Sequence, residues 1–217
     1  FGWGATEVGR TFAVVGVVSV IYGAVVALAQ TDLKRMIAYT SINHMGYVVL
    51  GLGAAGLVGG TAATARETAV TGAMYQMVSH GLITAALFLL VGVFRDRAGT
   101  YDMDAYGGLA GPAPRLATVF VLAAFASLGL PGFSGFIAEF QIFAGSIAVA
   151  PVTAIAVLGI LITAALFLRA YQRVFTGAAQ GRTAGFTDLR PCELWSAGGL
   201  MVLAVVLGVI PRPLLDL

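Results

Sequence analysis

LATVFVLAAFASLGLPGFSGFIAEFQIFAGSIAV, residues Leu116–Val149, is an apolar run interrupted at Leu128-Gly129-Leu130-Pro131-Gly132 and carrying one carboxylate, Glu139, in its second half. As a straight helix its 34 residues would reach about 51 Å, well beyond the roughly 30 Å hydrocarbon core of a bilayer. Pro131 removes a backbone donor and clashes one turn back, while Gly129, Gly132 and Gly135 lower the cost of non-helical angles. The stretch therefore reads as a broken membrane helix. Irregular backbone at membrane depth is tolerated only inside protein or beside a water-filled cavity. An intramembrane carboxylate beside it also calls for a polar pathway or a partner. The competing reading is a simple proline kink with Glu139 near the interface.

The rest of the chain supports membrane residence. Of its 217 residues 59% are hydrophobic and 10% charged, and the mean hydropathy is +0.94, whereas soluble domains carry about 25% charge. The 29 glycines suit helices that pack closely in lipid. A net charge of +2, spread between apolar runs, gives no nucleic-acid surface. A single cysteine, Cys192, excludes an internal disulfide and Cys-x-x-Cys ligation within this chain. The start at Phe1, with no charged leader, is expected of an excerpt from a longer polypeptide.

Six spans are expected, making an all-α polytopic transmembrane bundle: 11–29, about 36–57, 69–94, the broken element, about 152–175, and 194–209. Arg95-Asp96-Arg97 is expected to stop the third, and Thr176–Glu193 is the longest polar loop. Alternating sides gathers Lys34, Arg35, Arg95, Arg97, Arg115, Arg169, Arg173, Arg182 and Arg190 against Arg10, Arg66 and Arg212. Nine basic residues against three place the first side in the cytoplasm, provided the broken element crosses once.

Glu139, His80 and His44 are the ionisable residues this reading puts inside the membrane, where a charge at the centre costs about 3 kcal/mol or more. A lone histidine there is equally well explained by a hydrogen bond to a neighbouring helix. Two histidines and a carboxylate on three successive spans have the composition of a proton relay. Ser79-His80-Gly81 is expected to allow close helix approach, with polar groups or water around His80. The histidines are 36 residues apart, with neither His-x-x-x-His nor Glu-x-x-His, so no metal site is expected. Gly51-Leu52-Gly53-Ala54-Ala55-Gly56 imitates a dinucleotide pattern but ends a membrane helix, where small-residue packing accounts for it better.

Asp32-Leu33-Lys34-Arg35-Met36-Ile37-Ala38-Tyr39-Thr40-Ser41, His44-Met45-Gly46, Gln76-Met77-Val78-Ser79-His80-Gly81-Leu82, Leu128-Gly129-Leu130-Pro131-Gly132 and Phe136-Ile137-Ala138-Glu139-Phe140 together resemble the antiporter-like membrane subunits of respiratory complex I. The resemblance covers essentially the whole chain and is best to the M, or chain 4, branch. It implies inverted repeats of five helices, each with one broken helix. Residues 11–175 would be the second repeat and 194–217 the last helix and tail, within a single transmembrane domain over 1–217.

It further implies proton translocation coupled to electron transfer from NADH to quinone. Glu139 falls on the broken-helix ionisable position, His80 and His44 on axis histidines, and Lys34 on the basic residue of the hairpin. Gly129, Pro131 and Gly132 form the break. No catalytic, cofactor or metal residue is expected in this chain; flavin, iron-sulfur clusters and quinone belong to other subunits. Expected partners are L-type and N-type antiporter-like subunits and membrane lipid, in a bacterial inner membrane rather than a mitochondrial one. Glu139 and Thr84 stand where L subunits have lysines, and N subunits also carry lysine at the position of Glu139. A cation/proton antiporter or membrane-bound hydrogenase subunit is the alternative, which lysine in place of Glu139 would favour. A pure helix-binding scaffold is a third reading.

The charge bias yields a topology test. A membrane-impermeant thiol reagent should reach Cys192 from the cytoplasmic side in inverted vesicles; labelling from outside intact cells would reverse the orientation.

Overall fold

The computed structural model describes residues 2–57, 63–183 and 185–215. These fold as α1 (Gly2–Leu28), α2 (Leu33–Gly56), α3 (Ala63–Ala98), α4 (Pro114–Ser127), α5 (Ser134–Val149), α6 (Leu158–Phe175), α7 (Pro191–Val209) and the short α8 (Arg212–Leu215), with 3-10 turns at Met103–Ala105, Pro151–Val157 and Gly181–Thr183. Four stretches are long and apolar enough to cross a membrane: Thr6–Leu28, Ala63–Ala98, Pro151–Phe175 and Pro191–Val209. The 24-residue α2 is also of spanning length, and α4 and α5 are shorter apolar helices.

Asp32 starts α2 as its N-cap, its Oδ1 accepting from the Arg35 amide at 2.8 Å. The returning helix then packs backbone to backbone on α1. Gly9, Gly16 and Gly23 recur every seventh residue on α1, and Gly46 and Gly53 do so on α2. A Cβ on any of the five would come closer than 3.0 Å to the facing backbone. Without a hydrophobic drive between helices in lipid, such contact is what holds the pair. Gly51 makes the same approach to Ala69 on α3, so the glycine cluster that imitates a nucleotide motif is a packing surface on two sides.

The interrupted stretch breaks where expected. Gly129 takes a left-handed φ of +64°; its amide donates to Ala126 O at 3.3 Å and that of Leu130 to Phe125 O at 3.2 Å. This crossed pair is a Schellman ending, which satisfies carbonyls that a severed helix would leave bare. Pro131 therefore stands outside the helices rather than kinking one, and Gly132, at φ +99°, turns the chain into α5.

Both halves lie along α3, whose 36 residues give about 54 Å. At one end the Asp188 carboxylate, from the loop before α7, accepts from the Arg115 and Leu116 amides at 3.0 Å each and so caps α4. Further along, Ser79 Oγ lies 2.8 Å from Ser134 Oγ, and Gly145 abuts Ala65 and Ala69. The two halves thus run end to end past one antiparallel neighbour. From the other side Gly208 of α7 presses on Phe133 within the break.

The basic residues gather at one end. Arg169 donates to the Leu28 carbonyl at 2.6 Å, Arg95 to that of Gly99 at 2.6 Å, and Arg182 to that of Ala98, as suits cations at helix C-termini. Arg173 pairs with Asp104 at 3.1 Å. Arg97 pairs with Glu193 at 2.6 Å and also donates to Thr187 Oγ1 and Asp188 O at 3.0 Å each. Because these partners are in reach, Arg95-Asp96-Arg97 does not stop α3, which continues to Ala98. Likewise α2 begins at Leu33 and α3 at Ala63, earlier than their apolar runs suggest, and the stretch after Pro151 opens as 3-10 helix.

A contrast between glycines tests this packing. Gly53→Leu, driven into Ala13, should destabilise the protein in membranes by about 1–3 kcal/mol or more. Gly81→Ala, with no atom within 4 Å of the new carbon, should be neutral or stabilising by up to about 1 kcal/mol. Thermal inactivation in lipid reads both; equal losses would contradict the packing.

Candidate functional site: a buried polar cluster at the helix break

His44 sits midway along α2 at 4% exposure, held by α3 on one side and the broken helix on the other. Its Nδ1 lies 3.1 Å from Gln76 Nε2, and its Nε2 lies 3.1 Å from Ser127 Oγ. With the Gln76 amide nitrogen facing the ring, Nδ1 is the acceptor and Nε2–H the donor to Ser127. Ser127 is the last residue of α4, so the imidazole is fixed by the edge of the break itself.

Glu139 is in the second turn of α5 and is 5% exposed. Its Oε1 approaches His44 Nδ1 at 3.7 Å. No hydrogen bond to its carboxyl occurs among the described residues. A Cβ on Gly129 would lie 2.5 Å from Glu139 Oε2, so the left-handed glycine both ends α4 and leaves room for the carboxyl against the open turn. The break thereby positions the two groups from opposite sides.

His80 completes the cluster. Its ring stacks on that of His44, centroids 5.2 Å apart and planes at 27°. Thr84, one turn on, brings its hydroxyl 3.1 Å from His80 Nδ1. His80 is half-buried and thus the outer member. Of the expected close approach at Ser79-His80-Gly81, Ser79 supplies the contact, 2.8 Å from Ser134 of α5, while Gly81 faces open space; α3 and α5 also meet backbone to backbone at Gly72 and Gly145. The polar neighbour of His80 is Thr84.

Lys34 does not join the group. It is exposed in the first turn of α2, with Nζ 5.4 Å from the centre of the Tyr101 ring, and the ten residues to His44 amount to about 15 Å of helix. Three polar residues absent from the sequence-based site list belong beside it: Ser127, Thr163 and Asn43, whose Nδ2 donates to Thr163 Oγ1 at 2.6 Å. Only their tertiary neighbours distinguish them from ordinary serine, threonine and asparagine in a membrane helix.

Between these groups lies a narrow gap lined by His44, Tyr47, Ser127, Leu128, Glu139, Ile160 and Thr163, with no room as it stands for a water molecule. Moving a proton from the Glu139 carboxyl to His44 Nδ1, which first requires the Gln76 amide to release that nitrogen, converts a neutral pair into an ion pair. That exchange leaves the net charge of the cluster unchanged and avoids burying an isolated charge, which is the costly state at this depth. His80 stacks on the His44 imidazole, an arrangement that points neither ring's nitrogens at the other. Bringing 3.7 Å down to hydrogen-bond distance takes only a small approach of α5 to α2.

Comparison with known proteins bears on what such a cluster serves. The chain is 41% identical over 202 residues to NADH-quinone oxidoreductase subunit M of Rickettsia prowazekii, covering 92% of this chain and 39% of that protein. It is 41% identical over 203 residues to F(420)H(2) dehydrogenase subunit M of Methanosarcina mazei, covering 93% and 39%. It thus spans about two fifths of the length of these curated relatives. It also superposes on a chain of respiratory complex I from Thermus thermophilus with a TM-score of 0.85 at 32% identity, covering 98% of this chain and 44% of that one. Residues 5–165 match the transmembrane family described as NADH:quinone oxidoreductase/Mrp antiporter, and this multi-pass membrane protein belongs to that family.

Proposed function

We propose that the chain forms the C-terminal part of a proton-translocating M-type subunit of an NADH-quinone oxidoreductase. The observation that carries this reading is the meeting of Glu139, His44 and His80, from three helices, at a helix break inside the membrane. Residues 11–175 are the second five-helix repeat, the broken helix crosses once to give six spans, and 194–217 form the last helix and tail. Lys34 serves the basic end, where its exposure lets it exchange protons with solvent or with a neighbouring subunit rather than with His44 directly. Electron transfer from NADH to quinone takes place in other subunits, which hold the flavin and iron-sulfur clusters. L-type and N-type subunits flank this one in a bacterial inner membrane.

In this reading a proton reaching Glu139 passes to His44 and, after one of the stacked rings turns or a water enters between them, on to His80, and the break supplies the movement. Gly129 and Gly132 let α5 shift against α4 without loss of helical hydrogen bonds in either half, because the Schellman ending has already closed α4. Subunits of cation/proton antiporters and membrane-bound hydrogenases are the second reading. A carboxyl rather than an ammonium facing His44 favours the first, since a neutral acid and a neutral imidazole can exchange one proton without importing charge.

The test is a pair of substitutions in the assembled complex. Glu139→Gln preserves shape but cannot ionise, and should lower proton pumping and its coupled electron transfer by at least about 10²-fold, the lower range for a positioned acid–base group. Glu139→Asp should retain much more activity. Pumping is measured in inverted membrane vesicles, and full activity of the Gln variant would falsify the assigned role. If Glu139 were merely a packing residue, the shortened Asp side chain would be the worse of the two.

A further inference from the structure

Ionising Glu139 creates a buried carboxylate, and such a group needs hydrogen-bond donors. His44 can donate from Nδ1 only while it holds the transferred proton; once neutral again it has little to offer, since Gln76 donates to Nδ1 and the Nε2 proton is committed to Ser127. On the walls of the same pocket α4 contributes Ser127 and Leu128, and α6 contributes Ile160 and Thr163. The Thr163 hydroxyl donates to the Gly159 carbonyl at 2.8 Å and accepts from Asn43. Two donors on the pocket wall stay uncommitted: the Ser127 hydroxyl hydrogen, whose oxygen only accepts from His44, and the hydroxyl of Tyr47. Of the two, only the Tyr47 hydroxyl, on a side chain 1% exposed, has no hydrogen-bond partner of any kind.

The phenol is held for this position from three directions. Tyr47 follows His44 by three residues and so shares its face of α2. Its ring meets the imidazole edge-on at 6.0 Å and Phe143 of α5 at 5.2 Å. The hydroxyl fits only because residue 159 lacks a side chain: a Cβ there would stand 2.8 Å from the Tyr47 oxygen and 3.6 Å from Asn43 Oδ1. Asn43 Oδ1 is itself buried without a donor. Two unpartnered polar atoms therefore face the same small space on α6, one a donor and one an acceptor, at the edge of the pocket that holds Glu139.

We propose that Tyr47 is a positioning residue of the relay, its unpartnered hydroxyl donating to the Glu139 carboxylate while that group is ionised. The phenolic proton stays on its oxygen throughout; what changes is that it gains an acceptor. This extends the relay reading above, since it assigns how the ionised state of Glu139 is stabilised. The ionisable groups facing Glu139 are His44 and Tyr47 on α2, with His80 of α3 stacked beyond His44.

Infrared difference spectra of the assembled complex, acid minus alkaline, test it through the Glu139 carboxylate stretch, identified by its loss in Glu139→Gln. Tyr47→Phe removes only the hydroxyl and should shift that stretch and lower pumping by about tenfold, the worth of a hydrogen bond to a charged group. Site-specific 3-fluorotyrosine at position 47 keeps the hydroxyl as a stronger donor and should move the stretch the opposite way with pumping retained; it also decides the matter if Tyr47→Phe fails to assemble. A carboxylate stretch at the same frequency in either variant overturns the proposal. Full pumping by Glu139→Gln would sink the relay reading instead, while the band still reports whether the bond exists.

Discussion

Backbone amides and carbonyls at membrane depth must find partners within the protein, and the architecture around residues 128–133 follows from that requirement. A helix cut in two exposes carbonyls on one stump and amides on the other. Here the first stump is closed by the crossed bonds of Gly129 and Leu130. The second is packed against protein on both sides, with Ser134 meeting Ser79 of α3 and Phe133 covered by Gly208 of α7. Protein thus flanks the two ends of the break, while Leu130, Pro131 and Gly132 at its centre remain exposed. The break can then offer what an intact helix cannot, a local end at which Ser127 and Gly129 present a hydroxyl and an open space to groups on other helices.

The site inherits its geometry from this solution. Glu139 lies against the space Gly129 leaves, His44 is tied to Ser127, and the turn between α4 and α5 sets their separation. The helices around them are closely packed. Glycine seams lock α1 to α2, α2 to α3 and α3 to α5, with several contacts that allow no added methyl group. At the basic end, arginines tie helix ends and the loop before α7 together, with Asp188 capping α4 from more than seventy residues away.

Much of this was legible in the chain. The length of the Leu116–Val149 run, Pro131 and the flanking glycines predict a break, and the rarity of ionisable groups in apolar runs singles out Glu139, His44 and His80. The nine basic residues do share one end. Less legible were the polar partners. Nothing local marks Ser127, twelve residues before Glu139, as a ligand of His44; the turn between them brings it there. Tyr47 and Asn43 acquire meaning only from Gly159 on a distant helix. Gly81 looks like a packing glycine yet faces outward, and Lys34 stands in a strongly matching motif but about 15 Å along the helix from the cluster. Charge runs also mislead about helix ends, since Arg95 and Arg97 find acceptors beyond the span and α3 simply continues.

The central claim is that Glu139 and His44 act as one unit in moving a proton. A double-mutant cycle on pumping in membrane vesicles measures this directly, using Glu139→Gln, His44→Gln and the pair in the assembled complex. If they form one relay, either substitution breaks it and the double variant pumps no worse than the worse single one. Losses that multiply would show two independent groups and contradict the account.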